Sequence, residues 1–149
     1  MGTLSLPASG PVYVDTSIVI YSVETHADYW PLLKPLWEAA RSQRLTLVTS
    51  ELIVLETLVG PFKKGDARLV SAYDELFQSP DLRLVPVSQP ILREAARLRA
   101  VVSSLRTPDA LHAATAMLGA CNAFLANDRE FERVPGLSAL ILDDVAAGR

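Results

Sequence analysis

Val12-Tyr13-Val14-Asp15-Thr16-Ser17-Ile18-Val19-Ile20-Tyr21-Ser22-Val23 is the stretch whose reading decides the fold. It follows the turn pair Gly10-Pro11 and opens as a short, β-rich apolar run, which suits a buried strand over 12–14. The run stops at an acid. Asp15-Thr16-Ser17 then offers N-cap chemistry for a helix from Ile18 to Val23.

The same alternation recurs downstream. Apolar spacing at Trp30, Leu33, Leu36 or Trp37, and Ala40 predicts a helix over 29–42, and Leu45-Thr46-Leu47-Val48 reads as the second strand. Thr49 or Ser50 should cap a third helix that Gly60-Pro61 stops. A helix over 66–77 follows, then a third strand, Leu82 to Val87, made short or edge-like by Pro86, which cannot donate to a ladder. Ser88 caps a long helix with Pro90 in its first turn. Thr107-Pro108 opens another that Gly119 closes. Ala123-Phe124-Leu125-Ala126 makes a fourth strand, with a turn at Asn127-Asp128, and Ala139-Leu140-Ile141-Leu142 a fifth. Strands alternating with helices predict an α/β fold, a central parallel sheet of about four to five strands with helices on both faces. No linker divides the chain, so residues 1–149 read as one domain with its core at about 12–142.

Bulk composition narrows the function. The 149 residues are 50% hydrophobic and 21% charged, an ordinary globular balance. No apolar run approaches the ~20 residues that cross a bilayer, and the first residues make a poor signal peptide. The expectation is a soluble, cytoplasmic protein. Cys121 is a lone cysteine, a small buried filler with no internal partner, and His26 and His112 are the only histidines. Zinc held by nitrogen and sulfur is therefore not expected, and any metal must be bound by oxygen. A net charge of −3 argues against coating nucleic acid by bulk electrostatics, but not against gripping a few phosphates locally.

Ligands of open parallel sheets bind beyond the carboxyl ends of the strands. Four acids fall in or near such places. Asp15 ends the first strand, Asp128 follows the fourth, Glu56 lies within two turns of the start of the third helix, and Asp109 sits in the first turn opened by Thr107-Pro108. Each also has a plainer reading. Asp15 could serve as an N-cap, Asp109 as a complement to a helix dipole, and Asp128 as a turn residue. Glu56 stands apart, because Ile53, Val54, Leu55, Leu58 and Val59 surround it and a buried carboxylate needs a partner. Four such acids drawn together need a cation, and Mg²⁺ or Mn²⁺ suits an all-oxygen pocket. No Ser-His-Asp or Cys-His arrangement and no Gly-rich phosphate loop is present, which leaves hydrolysis by activated water.

These residues resemble a known family. Val12 to Tyr21 is similar to the opening of PIN-domain ribonucleases, particularly the VapC-type toxins of toxin–antitoxin pairs. Thr49-Ser50-Glu51-Leu52-Ile53-Val54-Leu55-Glu56 resembles that family's second motif, with Glu56 as its acid. Arg106-Thr107-Pro108-Asp109-Ala110-Leu111-His112-Ala113-Ala114-Thr115-Ala116 resembles the third, and Phe124-Leu125-Ala126-Asn127-Asp128-Arg129-Glu130-Phe131 the fourth. The resemblance implies a PIN-like fold in which Asp15, Glu56, Asp109 and Asp128 form a catalytic, metal-binding site, with Ser17 at a small polar position that supports it. Ala126 departs from the family, which often carries Thr there. The resemblance further implies RNA as substrate, Mg²⁺ or Mn²⁺ as cofactor, a homodimer, and an antitoxin protein lying across the active site.

His112, three residues after Asp109 on the same helix face, could touch substrate or tune the acidic cluster, but reads first as a packed helix histidine. Tyr21, Trp30 and Trp37 could stack on a base, but read first as core or dimer packing residues. Two rivals are an aspartyl-nucleophile phosphohydrolase and a non-catalytic PIN-like module that only docks a partner. The first wants a second acid two residues after Asp15, where Ser17 stands.

Overall fold

A computed structural model describes residues 2–149. Its strands are β1 (Pro11–Val14), β2 (Thr46–Ser50), β3 (Leu82–Val85), β4 (Ala123–Ala126) and β5 (Ala139–Ile141). Seven helices alternate with them: α1 (Thr16–Val23), α2 (Trp30–Arg41), α3 (Leu52–Lys64), α4 (Ala67–Gln78), α5 (Gln89–Val101), α6 (Thr107–Leu118) and α7 (Leu142–Ala146). All strand pairings are parallel, in the order β3-β2-β1-β4-β5. The expected α/β architecture is therefore the observed one. β3, followed by Pro86, lies at an edge, where a missing donor costs no ladder bond.

Alternation along β1 sorts the core into two layers. Val12 and Val14 face α1, α2 and α4, packing with Leu33, Leu36, Leu47, Tyr73 and Leu125. Tyr13 faces the other way, into α5 and α6, with Val48, Leu98, Ala113 and Phe124. The Tyr13 and Phe124 rings stack 4.9 Å apart. A single tyrosine in an aliphatic strand thus carries a hydroxyl toward α6. Among the described residues, no helix is long and apolar enough to cross a membrane.

Two local expectations fail. α3 does not stop at Gly60-Pro61; it runs through Pro61 to Lys64 and ends at Gly65, whose φ of 64° suits a left-handed helix terminus. A proline disfavours helical backbone in the preceding residue partly by clashing with its Cβ. Gly60 has none, so the helix continues. The expected turn at Asn127-Asp128 leads into a 3-10 helix, Arg129–Arg133. Leu142, expected to end the fifth strand, instead begins α7.

Gln89–Val101 and Thr107–Leu118 form the outer layer on the Tyr13 face, with Gly119 closing α6 as expected. α3 is apolar on two sides. Ile53 is fully buried, whereas Leu55, Val59 and Phe62 project outward and are at least half exposed.

Candidate active site

The strand order places a switch point between β1 and β4, because the chain winds from β1 through β2 to β3 and then returns to β1's other side. Crevices form there, beyond the carboxyl ends of the strands. Asp15 leaves β1 directly, its N–H donating to Leu125 O at 2.9 Å, and Asp128 follows β4 by two residues. The two acids therefore exit neighbouring strands on either side of the switch.

Asp15 holds the N-cap position of α1 but makes no side-chain capping bond. It is 8% exposed. Burial pushes its pKa up to about 6 against the lowering effect of His112, and the negative charges of Glu56 and Asp109 push the same way. A plain N-cap is stabilised by the N–H groups it satisfies; this carboxylate is held at a cost.

Glu56 has found the partner its apolar helix demanded. Its Oε1 accepts from Thr16 Oγ1 at 2.8 Å and lies 2.6 Å from His112 Nε2. Burial alone would raise its pKa, but the His112 and Thr16 hydrogen bonds and Arg106 hold it below the usual glutamate range. His112, 1% exposed, also reaches Asp15 Oδ1 at 3.7 Å and Tyr13 Oη at 2.6 Å. Burial would lower its pKa, yet the Glu56 hydrogen bond and the charges of Asp15, Glu56 and Asp109 hold it raised.

Asp109 lies in the first turn of α6, where Arg106 Nε stands 3.4 Å from its Oδ2. Burial and the charge of Asp128 raise its pKa above the usual aspartate value, against the pull of Arg106. Asp128 caps the 3-10 helix by accepting from Glu130 N at 2.9 Å, so the turn reading also holds for it. Ser17 Oγ is buried and has no hydrogen-bond partner among the described residues.

The four predicted acids thus share one neighbourhood at one end of the sheet. His112 joins Asp15 and Glu56 by contact, and like-charge repulsion couples Asp109 to Asp15 and to Asp128. Among the described residues, no three carboxylate or imidazole groups already stand at metal-ligand spacing. Glu56 is turned onto Thr16 and His112, and Asp109 onto Arg106, which is how acids behave where only protein donors face them. The donor set fits a hard divalent cation: carboxylate oxygens, two of them raised in pKa by burial and neighbouring negative charge, and an orphaned buried hydroxyl.

Sequence reasoning passed over Tyr13 and Thr16 and gave His112 a packing role ahead of a tuning one. Tyr13 reads as a strand residue, Thr16 as a cap and His112 foremost as a packed histidine, yet they form the hydrogen-bonded floor of the site. The available signals were a lone tyrosine hydroxyl in an aliphatic strand and a histidine one turn from Asp109.

A parallel α/β domain with acids gathered beyond the carboxyl ends of its strands, at the switch point, is the class that this geometry defines. The chain belongs to the PIN domain family, whose model matches residues 12–137. Among curated proteins, none matches it in sequence. Solved structures of similar fold include VapBC2 from Rickettsia felis bound to a DNA fragment from its promoter, at a TM-score of 0.72 and 20% identity, covering 88% of this chain and 98% of that one. DNA-bound VapBC from Salmonella typhimurium matches at 0.71 and 17%, covering 89% and 98%. FitAcB from Neisseria gonorrhoeae matches at 0.66 and 17%, covering 88% and 97%.

Proposed function

We propose that this chain is a metal-dependent endoribonuclease, the toxin of a toxin–antitoxin pair, using Mg²⁺ or Mn²⁺ to hydrolyse RNA phosphodiester bonds. The observation that carries the reading is the convergence of Asp15, Glu56, Asp109 and Asp128 from four separate segments, with Asp15 kept buried at an energetic cost. Membership of the PIN family and the VapBC complexes of similar fold support it.

Asp15, Asp109, Asp128 and Glu56 would hold the ion, with Ser17 supporting them. A divalent cation bound there would supply Lewis-acid polarisation of the phosphodiester and of the attacking water. The protein's own contribution is orientation. Glu56, ionised and hydrogen-bonded by Thr16 and His112, is an acceptor of fixed direction at the site wall. Asp15 is locked to the end of β1 by its backbone bond to β4, so its carboxylate is presented from the most rigid part of the sheet. Arg106, whose side chain is largely exposed, is positioned to meet a phosphate without being buried.

As a toxin, the protein would be a cytoplasmic homodimer restrained by a cognate antitoxin, and its gene would sit beside a small reading frame for a DNA-binding protein. The direct test is cleavage of single-stranded RNA in Mg²⁺ or Mn²⁺ by wild type, Asp15→Asn and Asp109→Asn. Both variants lose cleavage while remaining folded. Cleavage that survives both substitutions removes the site assignment.

A further inference from the structure

Glu56 uses only one of its two oxygens on the protein. Oε1 receives Thr16 Oγ1–H at 2.8 Å and faces His112 Nε2 at 2.6 Å. An ionised carboxylate is acceptor-only, so Nε2 must carry a proton and donate. No hydrogen bond reaches Oε2 from the described residues.

The ring that donates is itself held from behind. His112 Nδ1 lies 2.6 Å from the Tyr13 hydroxyl, which also accepts the Ser50 backbone N–H at 3.1 Å. In the neutral ring, Nδ1 accepts the Tyr13 proton, and every member of the chain is satisfied: Ser50 N–H to Tyr13, Tyr13 O–H to His112, His112 N–H to Glu56. Tyr13 and His112 are both essentially inaccessible, and Tyr13 cannot tilt because Phe124 stacks on it. Ser50 is the last residue of β2, and Glu56 stands on α3, the helix that β2 feeds. The relay therefore pins a side chain on α3 to the strand that precedes it, through β1 and α6. A histidine present only to fill space has no need to bond through both nitrogens.

We propose that His112 is a positioning residue, fixed by Tyr13, that commits Glu56 Oε1 to the protein and so leaves Oε2 oriented for the divalent ion. The inference rests on the metal-dependent reading above. Outer partners of metal-site side chains often set affinity by preorganising the ligand rather than by touching the ion.

The test measures Mn²⁺ binding to metal-free protein by calorimetry, alongside single-stranded RNA cleavage across Mn²⁺ concentration and the ring ¹⁵N signals of His112. Three variants are compared with wild type: His112→Leu, His112→Gln and Tyr13→Phe. Expected is a loss of Mn²⁺ affinity of roughly 10–100-fold in His112→Leu, with cleavage recovering as Mn²⁺ is raised. His112→Gln, which keeps an N–H able to reach Glu56, restores most of the affinity. Tyr13→Phe shifts the Nδ1 signal and weakens Mn²⁺ binding by a smaller factor, which keeps the test intact if His112→Leu does not fold. Wild-type affinity in His112→Leu or in Tyr13→Phe overturns the proposal. So does a folded His112→Gln that binds no better than His112→Leu. A wild type that takes up no Mn²⁺ overturns the metal reading itself, and the ¹⁵N signals still report separately whether the relay forms.

Discussion

Tyr13 and His112, 99 residues apart in sequence, meet with Oη 2.6 Å from Nδ1 in the buried layer beneath the acidic site. Removing that hydroxyl strands two buried groups, the Ser50 N–H and the imidazole nitrogen, while leaving the ring stacked on Phe124. An unsatisfied buried polar group costs about 1–3 kcal/mol, more than the net worth of the bond itself. Tyr13→Phe should therefore lower stability by about that amount without changing the fold. Urea unfolding measures it, and an unshifted midpoint would contradict the pairing.

The acids of the site predict how the folded protein responds to metal. An ion that binds only the native state stabilises it by RT ln(1 + [L]/Kd), about 2.7 kcal/mol at a hundredfold excess over Kd. Mn²⁺ should raise the melting temperature of the wild type and leave that of Asp15→Asn almost unmoved. Replacing Asp15 removes a buried carboxylate that burial and like charge oppose, so the variant should be no less stable than wild type in EDTA. Equal metal-induced shifts in the two proteins would place the ion elsewhere.

The strand–helix alternation and the positions of the four acids were legible in the sequence because each depends on local pattern. Val12 to Val14 alternates faces as a strand must, and Asp15 and Asp128 sit at strand ends whatever the rest of the chain does. The floor of the site was not legible. Tyr13, Thr16 and His112 acquire their roles only when β1 packs on α6 and α3 folds over α1, and no local periodicity encodes those meetings. Glu56 lay between the two cases: its apolar surroundings showed that it needed a partner, but not which. Asp109 reads as a helix-dipole residue until the neighbouring charge of Asp128 is placed beside it.

The two faces of α3 differ in a way that substitution should expose. Ile53 is fully buried, whereas Leu55, two residues on, is 67% exposed. Truncating a buried isoleucine to alanine costs about 2–5 kcal/mol through lost transfer energy and a residual cavity. Surface truncations usually stay within about 0.5 kcal/mol. Ile53→Ala should be strongly destabilising and Leu55→Ala nearly neutral in chemical denaturation of dilute protein. Similar costs at the two positions would mean that α3 is rotated or that its outer face is covered.

Cys121 offers a pH test outside the acidic site. Burial raises its thiol pKa to about 11, against a lowering effect of Arg83. Only the thiolate reacts with alkylating agents, so at pH 8 about one molecule in a thousand is reactive at any moment. Iodoacetamide modification of the native protein should be slow, rising about tenfold per pH unit from 8 to 10. An exposed thiol of ordinary pKa would level off near pH 9, and that profile would show that Cys121 lies open to solvent.

The end of α3 is the place where local punctuation misled, and it yields a sharp stability prediction. Gly60-Pro61 has the form of a stop, yet the helix continues to Lys64 and terminates at Gly65 in the left-handed region. No atom crowds a Cβ built at Gly65, so replacing it tests the backbone conformation rather than packing. An alanine held in left-handed backbone is strained by roughly 1–2 kcal/mol. Gly65→Ala should therefore destabilise the protein by about that much, read as a lower denaturation midpoint at unchanged slope. Were the helix to end at Gly60, Gly65 would sit in an unconstrained loop. Alanine there would then be neutral or slightly stabilising through its less flexible unfolded chain.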